Sequence, residues 1–247
     1  MNSTRSKIAA AATIIAMIIA LAAGCAGNAN GTVGQTGMDT TQTGASPAET
    51  SSSPANTSKP KLAESFKEYA ARQLVYAQRG QNPEWQTSDA QLEILRRIVD
   101  TGTVTPGDYA RAWSNYTSCV TAKGDPEPVL IRYANGMISQ AAIDGASMKG
   151  NNSYASCEWK ETNYVDLLYG ILIGNPNLYQ DPDEAIVDCL HKANVVPMSY
   201  TAKDYAKDSK DLKFPSFDRL DPNVRSCQIA NNVQIVYLDV DPVQTFD

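Results

Sequence analysis

The segment that decides the fold reads TPGDYARAWSNYTSCVTAKG and spans residues 105–124. Thr105, Pro106 and Asp108 are typical of a helix start, since the hydroxyl caps the first turn, proline fits it and the acid complements the helix dipole. Large apolar side chains then recur at the spacing of one helix face, at Tyr109, Trp113, Tyr116 and Val120. The pattern predicts an amphipathic helix that carries Cys119 and ends at Gly124.

Cys119 belongs to a set of four cysteines whose spacing repeats. Cys119 and Cys157 are 38 residues apart, and so are Cys189 and Cys227. Four cysteines allow three pairings, and the equal separations favour Cys119–Cys157 together with Cys189–Cys227. In the loop-entropy description, each bond would stabilise the fold by roughly 4 kcal/mol.

The cysteine spacing also predicts an internal repeat, over about residues 105–173 and 182–240. Each copy consists of a helix with a cysteine, an insert and a second helix with a cysteine. The sequence CVTAKG at residues 119–124 parallels CLHKAN at 189–194, and NYVDLLY at 163–169 parallels NNVQIVY at 231–237. The insert is a β-hairpin in the first copy and the polar stretch 201–217 in the second.

The rest of the folded region is predicted to be helical, apart from one hairpin at residues 128–143. Asn135 and Gly136, the residue pair favoured in tight hairpin turns, separate two short apolar runs there. Residues 153–173 are expected to form one helix, and residues 233–240 fit a helix end or a strand. The predicted fold class is therefore mainly α with one small β-hairpin (minor α+β), stapled by two disulfides. A lone hairpin is marginal, so this one is expected to pack on the helices.

Composition excludes several functions. The 247 residues include 21 basic and 27 acidic side chains, a net charge of −6, which argues against nucleic-acid binding. The sequence has one histidine, no Cys-x-x-Cys pair and no glycine-rich phosphate loop. It therefore contains no recognisable catalytic constellation, and we expect no metal or cofactor. Asp239 and Asp241 offer too few oxygens for calcium.

The N-terminus has the pattern of an export signal. Arg5 and Lys7 precede 16 uncharged residues, 8–23, which is short for a membrane span of about 20 residues. The sequence LAAGC at residues 21–25 resembles a bacterial lipobox, in which the cysteine receives a lipid and becomes the mature N-terminus. Ala22 stands where the family prefers Leu, with Leu21 one place earlier. The resemblance implies lipidation at Cys25; the alternative is an uncleaved anchor helix.

These features predict three regions. Residues 1–24 form the signal peptide, and the lipidated cysteine with a disordered tether spans 25–60. Ser, Thr and Gly supply 17 of the 35 residues in 26–60, a composition that cannot bury enough surface to fold. As a flexible coil this tether would extend roughly 30–35 Å. Residues 61–247 contain every aromatic residue and form a single mainly helical domain.

The segments around Cys119 and Cys189 resemble exported lipoproteins of actinobacteria with disulfide-linked helices. The similar stretches run from Val104 to Tyr109, from Tyr116 to Cys119 and from Ile186 to Leu190. The resemblance implies a lipid-anchored protein on the extracytoplasmic face of the cell membrane and implies no mechanism.

The twelve tyrosines, against four phenylalanines, are the one signal that suggests a ligand. Tyrosine suits contact surfaces, although packing in a modest core also explains it. The candidate binding surface consists of Tyr154, Tyr164, Tyr169 and Tyr179. The sequence thus favours a non-catalytic binding or interaction protein of the cell envelope, held to the membrane through its N-terminal lipid, with an envelope protein or a glycan or peptide as partner. The alternatives are an envelope hydrolase with an Asp/Glu pair and a solute-capturing lipoprotein.

Overall fold

The computed structural model describes residues 13–15, 59–79, 82–143 and 153–244. This part of the chain is mainly helical, which confirms the predicted fold class. Its α-helices are α1 (Phe66–Gln78), α2 (Asp89–Thr101), α3 (Pro106–Ala122), α4 (Ser153–Glu161), α5 (Asn163–Gly174), α6 (Pro182–Lys192), α7 (Ala202–Asp211) and α8 (Pro222–Ala230), and a short 3-10 helix lies at Pro83–Trp85.

The strands are short and pair two at a time. They are β1 (Thr13–Ile15), β2 (Leu130–Arg132), β3 (Ile138–Gln140), β4 (Ala142–Ile143), β5 (Gln234–Val236) and β6 (Val243–Gln244). β2 and β3 form the predicted hairpin, with Gly136 at φ +87° in its turn. β5 pairs antiparallel with β1, which lies in the segment that the sequence predicts to be cleaved, and β4 pairs parallel with β6.

The helix starts follow the local sequence signals. The hydroxyls of Ser88 and Thr105 accept hydrogen bonds from the backbone N–H of Gln91 and of Asp108, which fixes the first turns of α2 and α3. Asp181 and Asp221 cap α6 and α8 in the same way, each followed by a proline.

The prediction of one helix over residues 153–173 is wrong, because the helix breaks at Thr162. The side chain of Gln91, fully buried on α2, holds the break from both sides. Its Nε2 donates to the carbonyl oxygens of Trp159 (3.1 Å) and Lys160 (2.7 Å), and its Oε1 accepts from the N–H of Tyr164 (2.8 Å). A break in a helix leaves main-chain N–H and carbonyl groups without their usual hydrogen bonds, and here the side chain of Gln91 supplies those bonds.

The second half of the chain differs from the expected repeat in two places. Its insert contains α7, started by a capping box in which Thr201 and Asp204 exchange hydrogen bonds. Residues 163–169 lie in α5, whereas the parallel residues 231–237 turn into β5. The correspondence between the copies therefore holds at the first helices and the disulfides and is lost after the second cysteine.

The apolar side chains form two clusters. The larger cluster joins α1 to α5 with the hairpin and includes fully buried Tyr116 and Leu168. The smaller cluster joins α6, α7 and α8 around Ile186, Leu190 and Val224. Each cluster contains the buried partner of one disulfide, so each bond fixes helices around its own core.

Helices α5 and α8 approach closely where the two clusters meet. A Cβ atom on Gly170 would lie 2.7 Å from the carbonyl oxygen of Ala230, and one on Gly174 would lie 2.5 Å from the Ala230 Cβ. Both distances are shorter than side chains tolerate, so this interface depends on two glycines one helical turn apart. Among the described residues, no helix has the length and apolar character needed to cross a membrane.

Candidate functional site

Both predicted disulfides are present. Cys119 and Cys157 have Cα atoms 5.7 Å apart, and Cys189 and Cys227 have Cα atoms 5.6 Å apart. In each pair one cysteine is nearly fully buried and the other is partly exposed. Cys25, the predicted lipidation site, lies outside the described residues.

The four tyrosines proposed as a binding surface have different environments. Tyr154 and Tyr164 are buried in the larger core, where the Tyr154 hydroxyl donates to the carbonyl oxygen of Pro126 at 2.8 Å. Tyr179 is partly exposed, and the Lys59 ammonium lies 5.3 Å from its ring centroid. Tyr169 is also partly exposed, and it stacks on Tyr109, whose hydroxyl belongs to a group of polar side chains. Packing explains the two buried rings, and a role in binding stays a prediction for the two accessible ones.

The polar group beside Tyr169 centres on the carboxylate of Asp166, on the first turn of α5. Asp166 Oδ1 accepts hydrogen bonds from the Tyr109 hydroxyl at 2.5 Å and from the Trp113 indole Nε1 at 3.3 Å. Tyr109 stacks on Tyr169, with ring centroids 4.0 Å apart. Asp166 and Tyr169 are three residues apart on one helix and so share a face. The result is an acid surrounded by aromatic rings.

The β-hairpin orients this acid. The backbone N–H of Ile138 on β3 donates to the Tyr109 hydroxyl at 2.9 Å, and that hydroxyl in turn donates to Asp166. The turn of the hairpin lies against the same rings, since a Cβ atom on Gly136 would come within 3.0 Å of the Tyr169 hydroxyl. The role of the hairpin is therefore to position Tyr109 and its carboxylate partner.

A second carboxylate, Glu158, lies one turn before the helix break. The Thr162 N–H donates to the Glu158 carbonyl at 2.9 Å, and the Asp166 N–H donates to the Thr162 carbonyl at 2.8 Å. Glu158, Thr162 and Asp166 thus follow the i, i+4, i+8 spacing of one helix face across the break. We call Glu158, Asp166, Tyr109, Trp113 and Tyr169 the acid–aromatic cluster.

The two acids of the cluster are hard to ionise. Burial raises the pKa of Asp166 to about 6 from its ordinary 3.8, although the hydrogen bonds from Tyr109 and Trp113 act to lower it. Burial raises the pKa of Glu158 to about 7 from 4.5, and the negative charge of Asp166 raises it further. Carboxyls with pKa values near neutrality are typical of functional sites.

The neighbouring hydroxyls respond to the same environment. Burial and the Asp166 charge raise the pKa of Tyr109 well above its usual range, so it stays a hydrogen-bond donor. Burial and the Glu158 charge also raise the pKa of Tyr116, whose hydroxyl donates to Oε1 of Gln140 on β3. Both phenols therefore present neutral O–H groups beside the acids.

A shallow groove of about 520 Å³ lies beside the first disulfide. It is lined by Cys119, Lys123, Lys160 and Glu161, together with Asn115 and small serine and alanine residues. The Lys123 ammonium donates to the Ser156 hydroxyl at 2.7 Å, and Glu161 accepts from Ser88 at 2.6 Å. Its polar groups thus hold α2, α3 and α4 together.

Neither Glu158 nor Asp166 is among the residues that the sequence pattern singles out. The available signal was a charged residue within the apolar run YVDLLYGILI at residues 164–173, preceded at two helical turns by a second acid. Polar residues on a face that is otherwise buried are rare unless they have a partner or a role. Expecting one continuous amphipathic helix hid this pattern.

The described residues contain no group of three or more His, Cys, Asp or Glu side chains that could hold a metal ion.

No protein-family model matches this chain, and comparisons with curated proteins and with solved structures likewise find no match.

Proposed function

We propose that the protein is a lipid-anchored binding protein on the extracytoplasmic face of the cell membrane, which acts by binding rather than by catalysis. The observation that carries the proposal is the combination of LAAGC at residues 21–25 with two disulfides in the folded region. Disulfides persist in oxidising compartments and are rare in the cytosol. Both features are expected of a chain that is exported and then lipidated at Cys25.

The tether and the net charge support the same arrangement. Removal of residues 1–24 takes away Arg5 and Lys7, so the mature chain has 19 basic and 27 acidic side chains, a net charge of −8. An anionic domain is repelled by an anionic membrane surface. Residues 26–60, which their composition predicts to be a flexible tether, would then hold the folded domain clear of the bilayer, where it can reach a partner.

The acid–aromatic cluster is the proposed binding site. Glu158, Asp166 and Tyr169 are each partly exposed residues, and Tyr169 stacks on Tyr109, which donates to Asp166. Aromatic faces next to a few oriented polar groups are the usual composition of sites for glycans and peptides. The partner is accordingly an envelope glycan, peptide or protein.

Metabolic labelling with radioactive palmitate tests the anchor. We expect the wild-type protein to take up label and Cys25→Ala to take up none, because the thioether needs the cysteine sulfur. Ala22→Leu is the matched control, since it places the preferred residue in the lipobox and should keep or increase the labelling. An unlabelled wild-type protein, or label that persists in Cys25→Ala, would refute the anchor.

Mild crosslinking of the lipidated protein in cells tests the binding role. A single envelope protein recovered with the wild type, and lost from Asp166→Asn, would support an interaction module. Recovery of glycan or peptide fragments alone would identify a solute-capturing lipoprotein. If neither class is recovered above the level of an exposed-site variant such as Asp211→Asn, the binding role is wrong.

One observation favours a second candidate function, an envelope hydrolase with an Asp/Glu pair. Glu158, with its pKa near 7, has the property of a general acid, and Asp166 lies within its electrostatic reach. Incubation with cell-wall glycan and peptide substrates tests this candidate. Turnover by the wild type that falls at least a hundredfold in Glu158→Gln would replace the binding proposal with a catalytic one.

A further inference from the structure

The shallow groove beside the first disulfide contains charged groups that do not pair with one another. Its volume is about 520 Å³, and its wall is formed by the start of α2, one face of α3 and the end of α4. Lys123, Lys160 and Glu161 line it, and none of the three takes part in an ion pair among the described residues. We call it the disulfide groove. Charges that share a groove without pairing are available to a ligand.

Glu161 is a buried acid that uses only one of its two carboxylate oxygens. The residue is 8% exposed, and its Oε2 accepts a hydrogen bond from the Ser88 hydroxyl at 2.6 Å. Ser88 is itself fixed, because its hydroxyl caps α2 and its N–H donates to the Lys160 carbonyl oxygen at 2.9 Å. The second oxygen, Oε1, accepts no hydrogen bond from a described residue. A buried carboxylate normally accepts several hydrogen bonds, so the groove offers an oriented acceptor to a ligand.

The two lysines give the groove a positive side. The Lys123 ammonium donates to the Ser156 hydroxyl at 2.7 Å, which holds it at the groove and leaves two of its three N–H donors for another partner. The Lys160 ammonium and the Asn115 amide, which also line the groove, donate no hydrogen bond to a described residue. The groove therefore has two cations for one acid, in a chain whose net charge is −6.

These groups select a carboxylate that lies next to an N–H donor. Two ammonium groups attract an anion and repel a metal ion. A phosphate group carries about two negative charges, which Glu161 in the same groove would oppose. The C-terminus of a peptide carries one negative charge, and its last amide N–H is close enough to donate to Glu161. The volume of the groove is typical of small-ligand sites, and the residues that line it include no aromatic ring on which a sugar could stack.

We propose that the disulfide groove binds the C-terminal carboxylate of a peptide, with Lys123 and Lys160 donating to the carboxylate and Glu161 accepting from the last amide N–H. This site shares no residue with the acid–aromatic cluster and goes beyond the proposed function. The carboxylate can come from the C-terminus of a protein or from a non-ribosomal peptide that contains D-residues.

Titration of the purified full chain with Nα-acetyl-trialanine tests the proposal. The NMR signal of the Asn115 side-chain amide reports binding, because this group lines the groove. We expect millimolar affinity for the acid and at least tenfold weaker binding of its C-terminal amide, which lacks the negative charge. N-methylation of the last peptide nitrogen should weaken binding at least threefold, because Glu161 then loses its donor. Preference for the all-L peptide identifies a protein C-terminus, and preference for the all-D peptide identifies a non-ribosomal ligand.

Variants separate the site from the fold. Lys160→Gln removes an ammonium that makes no hydrogen bond within the described region, so it should weaken the tripeptide at least fivefold and leave Tm unchanged. Lys207→Gln removes an exposed lysine from α7 and should leave affinity unchanged.

Several outcomes would overturn the proposal. They are equal binding of the acid and its amide, equal binding of the N-methylated peptide, no binding up to about 50 mM, inorganic phosphate binding as tightly as the tripeptide, and unchanged affinity in Lys160→Gln. These measurements involve neither Cys25 nor Asp166, so the groove and the proposed function fail independently.

Discussion

Replacement of Glu158 by glutamine should stabilise the protein at alkaline pH. The wild-type carboxyl must lose its proton above neutral pH in a site that disfavours its charge, because it is desolvated and lies near the negative charge of Asp166. Glutamine has the same shape and no charge to bury. The variant therefore removes an electrostatic penalty without opening a cavity.

The magnitude follows from the pKa. The interval from the ordinary 4.5 to about 7 is about 2.5 pH units, and each unit corresponds to about 1.4 kcal/mol, so ionised Glu158 costs the fold up to about 3 kcal/mol. A carboxyl whose pKa is raised in the folded state makes folding less favourable as pH rises through this interval. The penalty is absent below about pH 4.5 and complete above about pH 7.

Urea denaturation followed by circular dichroism measures the effect. At pH 8 the free energy of unfolding of Glu158→Gln should exceed that of the wild type by about 2–3 kcal/mol, which corresponds to about 5–10 °C in Tm for a domain of this size. At pH 4.5 the two proteins should differ by less than about 0.5 kcal/mol. Asp211→Asn is the control and should change stability by less than about 0.5 kcal/mol at either pH.

A neutral or destabilising effect of Glu158→Gln at pH 8, with Asp211→Asn behaving as expected, would contradict an electrostatic penalty at Glu158. A gain of equal size at both pH values would also refute it, because the gain would then come from packing rather than from charge.

Three further predictions concern the framework around the site. Gly170→Ala should lower the free energy of unfolding by about 1–3 kcal/mol, because the added Cβ would meet α8. Gly107→Ala has space for its Cβ and should raise the free energy of unfolding by up to about 1 kcal/mol. Thermal denaturation measures both effects, and equal signs would contradict the close contact between α5 and α8. Gln91→Ala should lower the free energy of unfolding by about 3–5 kcal/mol, because it leaves main-chain groups at the break between α4 and α5 without a hydrogen-bond partner. Urea denaturation measures this loss. A loss under about 1 kcal/mol would show that the break does not need this side chain. Removal of the second disulfide by Cys189→Ser with Cys227→Ser should lower the free energy of unfolding by about 4 kcal/mol. Because this bond links helices of the smaller core, amide hydrogen exchange should rise in α6 to α8 before it rises in α2 and α3. Uniform loss of protection would argue against two cores.

The sequence predicted those parts of the fold that depend on local signals. The cap at Thr105, the Asn135-Gly136 turn and the disulfide pairing all follow from residue types at fixed spacing. Each of these features is determined within a few residues or by one repeated interval, which is why a single sequence sufficed.

The break at Thr162 could not be predicted because its cause lies elsewhere in the chain. The residues around it have helical periodicity, and the groups that the break exposes are satisfied by Gln91, about 70 residues earlier. The candidate site was missed for a related reason, since the hydroxyl that holds Asp166 comes from α3 and is itself held by the hairpin. Tyr169 was selected from the tyrosine excess alone, and only the fold stacks it on Tyr109, the hydrogen-bond donor to Asp166.

The acid–aromatic cluster is hard to explain as a device for stability. Tyr109 and Trp113 already have apolar neighbours in the larger core, and two uncompensated carboxyls beside them make folding less favourable at neutral pH. The rest of the domain tolerates this cost because two disulfides and the close glycine contact between α5 and α8 stabilise the framework that carries it. An arrangement that weakens the fold and is held in place by a hairpin is better explained by a role in binding than by a contribution to stability.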